Sequence, residues 1–181
     1  MEAGDNTRIK SGKSYNLARY QGINLKILFI CTHNRCRSII CEAITNHISG
    51  GRLEAYSAGS QPAGQVHPLS LKYLQNTGFP TDALKSESWD AYANKNIDVA
   101  VTLCDSAAEE SCPLWMGDTA KVHWGLSDPS KINGSEAEKE SAFINLIEEV
   151  SSRIQKLLAL DFDNLSSAEL ELALKKIAES H

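Results

Sequence analysis

The stretch Lys26-Ile27-Leu28-Phe29-Ile30-Cys31-Thr32-His33-Asn34-Arg35-Cys36-Arg37-Ser38 constrains this chain more than any other. The apolar run Ile27 to Ile30 reads as a short strand, and it stops at a cysteine. Five residues intervene before an arginine, which is followed by a serine and an apolar stretch that reads as a helix. Strand, Cys-x5-Arg loop and helix in this order can wrap backbone N–H groups around a tetrahedral oxyanion and aim a sulfur at its central atom. The segment points to an enzyme acting on phosphate or a phosphate-like anion.

The chemistry of the loop is complete on paper. N–H groups of Thr32, His33, Asn34, Arg35, Cys36, Arg37 and Ser38 form the anion cradle at the helix N-terminus. The same field favours ionisation of Cys31, which makes its thiolate the candidate nucleophile. Arg37 offers a planar fork to two anion oxygens. Ser38 is placed to hydrogen-bond the thiolate. The bare Cys-x5-Arg pattern is weak evidence, and a buried cysteine ending a strand is the plain alternative. The preceding strand, Asn34 inside the loop and the Arg-Ser pair before a helix are what sharpen it.

Four strands are expected, over Lys26–Cys31, Leu53–Ala58, Asp98–Thr102 and Lys121–His123. The first helix is expected over Ser38–Ser49. The second starts near Pro68 and ends at Gly78, using proline in a first turn and glycine at a C-terminus. A third lies loosely after Cys104. Ser135 and Glu138 form a capping box for a long helix whose apolar positions are Phe143, Leu146, Ile147, Val150, Ile154 and Leu157. Strands alternating with helices give an α/β fold, a four-stranded parallel sheet flanked by helices on both faces. Ligands bind at the carboxyl ends of such strands, so one rim can collect Cys31, Cys104 and the Leu126–Pro129 segment. Residues 1–24 are polar and read as a flexible leader, residues 25–160 as the catalytic domain, and residues 161–181 as a small C-terminal unit. That last unit is a helix capped by Ser166 and Glu169, with the stripe Leu170, Ala173, Leu174 and Ile177 packed on the domain.

Composition narrows the class. The 181 residues fit one domain, with 42% hydrophobic and 23% charged residues as in ordinary globular proteins. A net charge of −5 argues against a nucleic-acid surface, so an anion must be captured by local dipoles. No run has the length of a membrane span, and no apolar segment resembles a signal peptide. A cytoplasmic monomer is expected. Five cysteines, an odd number, read as thiols in a reducing compartment, and none has zinc-ligand spacing.

Two further constellations carry chemistry. Asp128, held by Pro129 after a strand, is a candidate general acid, although Ser127-Asp128-Pro129 alone is an ordinary turn signal. Cys104 and Cys112 stand eight residues apart. On a regular helix that places them about 12 Å apart, whereas a disulfide needs Cα atoms within about 7 Å. They are either unrelated thiols or a pair whose intervening segment is a loop or unwinds.

Together these marks resemble the arsenate reductases built on the low-molecular-weight protein tyrosine phosphatase fold. The resemblance runs from about Lys26 to Leu158. It is carried by Phe29-Ile30-Cys31-Thr32 with Asn34 and Cys36-Arg37-Ser38, by Tyr56-Ser57-Ala58-Gly59, by Val101-Thr102-Leu103-Cys104 with Cys112-Pro113, and by His123-Trp124-Gly125 through Asp128-Pro129. It implies that Cys31 attacks arsenate, that Asp128 protonates the leaving hydroxyl, and that Cys104 attacks Cys31 to release arsenite. Cys112 then takes the disulfide from Cys104 to the surface, where thioredoxin or glutathione with glutaredoxin reduces it. Phosphate and sulfate are the expected competing oxyanions, and no bound organic cofactor is needed. Some relatives hold a potassium ion beside the loop. The matching positions are Asn34, Glu42, Ser57 and Asp90, but no metal is assigned here.

The chain also departs from the pattern. His33 and Arg35 stand where relatives have small residues, and the Cys104–Cys112 segment is one residue longer than in thioredoxin-coupled members. Cys36 is expected to pack under the loop, and Cys41 in the core. His47, His67 and His123 read as structural. A low-molecular-weight phosphotyrosine phosphatase is the alternative enzyme, sharing Cys31, Arg37 and Asp128, but Ser130-Lys131 replaces the aromatic grip expected after its Asp-Pro. A thiol redox sensor with a vestigial anion loop is the non-enzymatic alternative.

Overall fold

The computed structural model describes residues 24–110, 113–117 and 119–180. The leader expected over residues 1–24 lies almost wholly outside this range, and so does Cys112. Four strands, β1 (Leu25–Ile30), β2 (Leu53–Ala58), β3 (Val99–Thr102) and β4 (Ala120–His123), form one parallel sheet in the order β2-β1-β3-β4. The helices are α1 (Arg37–Ile48), α2 (Pro68–Asn76), α3 (Asp105–Glu109), α4 (Glu136–Leu158) and α5 (Ser167–Glu179). Ile27, Leu28, Phe29 and Ile30 are each at most 1% exposed, so successive side chains on opposite faces of β1 are all covered. This is why the strand reads as a continuous apolar run and not as an alternation.

Register aligns the carboxyl ends of all four strands. Ile30 pairs with Ala58 and with Thr102, and Thr102 pairs with His123. The residues that follow, Cys31, Gly59, Leu103 and Trp124, therefore leave the sheet along one rim. From β1 the chain builds first toward β2 and then returns to place β3 on the other side. The β1–β3 boundary is the switch point where open parallel sheets bind ligands.

The helix boundaries follow local chemistry. The Nδ1 atom of His67 accepts the Leu69 N–H ahead of Pro68, and α2 ends at Asn76 with Gly78 two residues on at φ +87°, a conformation that glycine adopts without cost. Ser135 with Glu138 and Ser166 with Glu169 form complete capping boxes on α4 and α5. Short 3-10 turns at Trp89–Tyr92, Leu114–Met116, Pro129–Lys131 and Phe162–Asn164 carry no strong periodic signal, and sequence reading misses them. The C-terminal helix packs on the domain, and Phe162, Leu170, Leu174 and Ile177 join the same core as the sheet. Among the described residues no helix is long and apolar enough to cross a membrane.

One glycine is dictated by crowding. A Cβ on Gly59 would lie 2.6 Å from the Thr32 carbonyl oxygen and 3.0 Å from the Asn34 nitrogen. The turn after β2 therefore presses directly on the Cys31–Arg37 loop. Gly59→Ala is expected to destabilise the protein by about 3 kcal/mol, because backbone and not a flexible side chain must yield. The urea midpoint of the variant measures this; an unchanged midpoint would mean that the loop moves aside freely.

Candidate active site

A cavity of about 500 Å³ opens on the rim where β1 and β3 end. Cys31 enters it after β1, Cys104 after β3 and Asp128 after β4. Thr32, His33, Arg35, Cys36 and Arg37 line it from the loop and the first turn of α1, with Ser130 and Lys131 opposite. The fold thus brings together the expected residues Cys31, Arg37, Asp128 and Cys104. Asn34 and Ser38 are fully buried, and neither lines the cavity. His33 and Arg35 are exposed at the rim.

The loop is held from below. Asn34 sits at φ +43°, the left-handed region that asparagine tolerates better than most residues. Its Oδ1 accepts the Glu87 backbone N–H at 2.7 Å. That donor is obligatory, so the amide orientation is determined, and Nδ2 must point at Ser38 Oγ and Ser57 Oγ, each at 2.9 Å. Ser38 Oγ accepts from Asn34 and lies 3.0 Å from Cys31 Sγ. Its own hydrogen is left for the sulfur. Ser57 likewise accepts from Asn34 and donates to Glu42. Cys31 N–H donates to Ala58 O at 3.2 Å, whereas among the described residues the N–H groups of Thr32 through Ser38 have no acceptor. Unpaired donors in a tight loop at a helix start are what an anion cradle requires.

Arg37 ties the loop to the far side of the sheet. Nη1 donates to Leu126 O at 3.0 Å and weakly to Leu103 O at 3.4 Å, and Nη2 donates to Asp128 Oδ2 at 3.1 Å. Its Nε is buried and unpaired among the described residues. The other Asp128 oxygen accepts from the Ser130 N–H and hydroxyl. The Leu126 carbonyl is a site group that sequence reading missed, since nothing in a side-chain pattern marks a backbone acceptor.

Cys31, Cys36, Cys41 and Cys104 are buried free thiols. Burial pushes the Cys36 thiol up to about 12, with the Ser70 hydrogen bond opposing, and burial raises Cys41 well above its ordinary value. Both thus hold their protons at pH 7; Cys41 lies in the core, whereas Cys36 also lines the cavity. Cys104 N-caps the five-residue α3 without a side-chain cap and lies 3.6 Å from Thr32 Oγ1. A helix this short has little stability of its own.

The positions that match a relative's potassium site lie in one hydrogen-bonded neighbourhood only in part. Asn34, Ser57 and Glu42 direct their polar atoms at one another, and Asp90 interacts with Ser88. Among the described residues no group of three His, Cys, Asp or Glu side chains is arranged for a metal.

Sheet order, loop and site together describe an oxyanion-handling thiol protein, and comparison with known proteins names its family. The model of the low molecular weight phosphotyrosine protein phosphatases matches residues 26–171, so the chain belongs to that family. Within it the chain is similar to arsenate reductases. It is 34% identical over 130 residues to the arsenate reductase of Shouchella clausii, covering 72% of this chain and 92% of that protein. It is 32% identical over 133 residues to that of Bacillus subtilis, covering 74% and 94%. Among solved structures it resembles the thioredoxin-dependent arsenate reductase of Corynebacterium glutamicum, at 28% identity and a TM-score of 0.57 over 77% of this chain and 63% of that one. The fold also matches a low molecular weight protein tyrosine phosphatase from T. tengcongensis, with a TM-score of 0.62 at 22% identity over 74% and 97%.

Burial also pushes the Glu42 carboxyl up to about 7, against the pull of the Ser57 hydrogen bond and aided by the charge of Glu87. The folded state therefore holds a proton between about pH 4.5 and 7 that the unfolded state has released. Stability from this group is full below pH 4.5 and falls as pH rises through 7, by about 3 kcal/mol in total. Glu42→Gln retains an acceptor for Ser57 and should flatten this fall. Urea midpoints from pH 5 to 8 measure it, and parallel curves for the two proteins would refute the assignment.

Proposed function

We propose that this protein reduces arsenate to arsenite with two of its own thiols. The observation that carries the reading is that Cys31 and Cys104, two of the three buried free thiols lining one cavity, share it with Arg37 and Asp128, while the third, Cys36, is kept protonated by burial. A phosphatase needs only the first of the two. The similarity to arsenate reductases supports the same reading.

Arsenate enters the cradle of unpaired N–H groups, and Arg37 turns its fork to two of the oxygens. This competes for the Nη2 hydrogen bond of Asp128 and frees that carboxyl to carry a proton. Cys31 Sγ attacks arsenic, its thiolate sustained by the Ser38 hydroxyl, and Asp128 protonates the departing hydroxide to water. Cys104 then attacks Cys31 Sγ. The sulfur–sulfur bond forms, the sulfur–arsenic pair stays on arsenic, and arsenite leaves two electrons richer. Melting of α3 brings Cys104 and then Cys112 within reach. Cys112 attacks Cys104, Cys31 is released as a thiol, and thioredoxin or glutathione with glutaredoxin reduces the Cys104–Cys112 disulfide.

The family's description favours a second reading, a phosphotyrosine phosphatase using Cys31, Arg37 and Asp128. Ser130 and Lys131 line the cavity where an aromatic grip is needed, which weighs against it.

NADPH consumption with arsenate, with thioredoxin and its reductase or with glutathione and glutaredoxin, tests the proposal. Arsenate-dependent oxidation is expected with at least one system; none in either, with brisk p-nitrophenyl phosphate hydrolysis, would favour the phosphatase. Cys31→Ser should abolish turnover while anion binding persists. Cys104→Ser should stop with thioredoxin after one adduct per enzyme, counted by mass spectrometry; steady thioredoxin-driven turnover would contradict its role. Arg37→Lys should lose about 10²-fold in kcat/KM, since a point charge cannot replace the fork.

A further inference from the structure

Helix α5 lies largely beyond the matched family region, which stops at residue 171. Its contacts nevertheless converge on the start of the loop that carries Asp128. Trp124, the first residue after β4, is 2% exposed. Its backbone N–H donates to Thr102 O at 2.8 Å, and its indole Nε1–H donates to Leu174 O of α5 at 3.2 Å. The guanidinium of Arg153, on α4, lies over its ring and donates to its carbonyl at 2.6 Å. The same guanidinium reaches Ala178 O of α5 at 3.5 Å. Leu170, Leu174 and Ile177 bury the apolar face of α5 in the core.

From this clamp the chain has little slack before the chemistry. Gly125 turns at φ +34°, Leu126 N–H bonds Leu103 O at 2.9 Å, and Leu126 O accepts Arg37 Nη1. Two residues later Asp128 accepts Arg37 Nη2. A shift at Trp124 is passed on to both acceptors that orient the arginine fork. An indole buried on every side, with its only polar atom bound to a helix carbonyl, does not shift cheaply.

We infer that α5 is a brace for the acid loop, with Trp124 as its positioning residue: seated through Leu174, the helix holds the Leu126 carbonyl and Asp128 in register with Arg37. The inference rests on the proposed role of Asp128, and its test separates the two. Trp124→Phe keeps an aromatic ring and deletes one hydrogen bond, and Ile177→Ala loosens the seat of α5 without touching the loop. Hydrogen exchange followed by mass spectrometry is expected to rise about fivefold over residues 124–131 in either variant, with residues 26–38 unchanged. This readout does not depend on what the enzyme turns over. In the arsenate assay each variant should lose about fivefold in kcat with little change in KM. In an Asp128→Asn background the same substitutions should cost clearly less than in the wild type, because only the Leu126 contact to Arg37 is left to position. Unchanged exchange over 124–131, or exchange rising equally over 26–38, overturns the brace. Losses that multiply with Asp128→Asn overturn its action through the acid. A wild-type protein inactive on arsenate overturns the proposed reaction and leaves the exchange result to decide the brace.

Discussion

The Asn34 carboxamide is the interaction on which the site depends. It is fully buried, and both of its ends are engaged, with the Glu87 N–H on one side and the Ser38 and Ser57 hydroxyls on the other. Asn34 itself lies in the loop after β1, and its three partners belong to three other segments: the start of α1, the end of β2 and the residue before the bridge between Gly59 and Ser88. A buried polar group left unpaired costs more than the bond itself is worth, so the network is self-enforcing. It holds the loop in a left-handed turn at Asn34, turns the Ser38 hydroxyl toward Cys31, and leaves the loop N–H groups for an anion.

Sheet topology does the rest of the positioning. Aligned strand ends put Cys31 and Cys104 on neighbouring strands, and Arg37 spans from α1 to the loop after β4. Anion capture in a chain of net charge −5 is then a matter of local dipoles and one guanidinium. The same arrangement accounts for different fates among chemically identical thiols. Cys41 is shut in the core, and Cys36, although it lines the cavity with Cys31 and Cys104, has its thiol pushed up by burial. The helix after Cys104 is five residues long and has little stability of its own, so that segment can open at small cost.

Much of this was legible in the residues. The apolar run to Ile30, the capping pairs Ser135–Glu138 and Ser166–Glu169, and Pro68 with Gly78 are local signals, and their elements stand where the pattern puts them, within one or two residues. The 3-10 turns were not legible, because turns of three or four residues have no period to detect. Nor were the Leu126 carbonyl as an arginine acceptor, His67 as the cap of α2, or Trp124 as the meeting point of α4, α5 and the loop that carries Asp128. Backbone acceptors and contacts across fifty residues leave no mark in local spacing.

What the sequence by itself determined is the chemistry on offer: a thiol at the end of an apolar strand, an arginine and serine at a helix start, a second thiol after a later strand, and an aspartate before a proline. These are set by residue type and short-range spacing, which local physics can read. Only the tertiary structure decided which of them meet. Strand order made β1 and β3 neighbours, packing enclosed Cys41 in the core while Cys31, Cys36 and Cys104 reach the cavity, and α5 closed over Trp124 behind the loop that carries Asp128. Those outcomes depend on long-range packing, where the free energy of one contact is decided by every other element that shares the core.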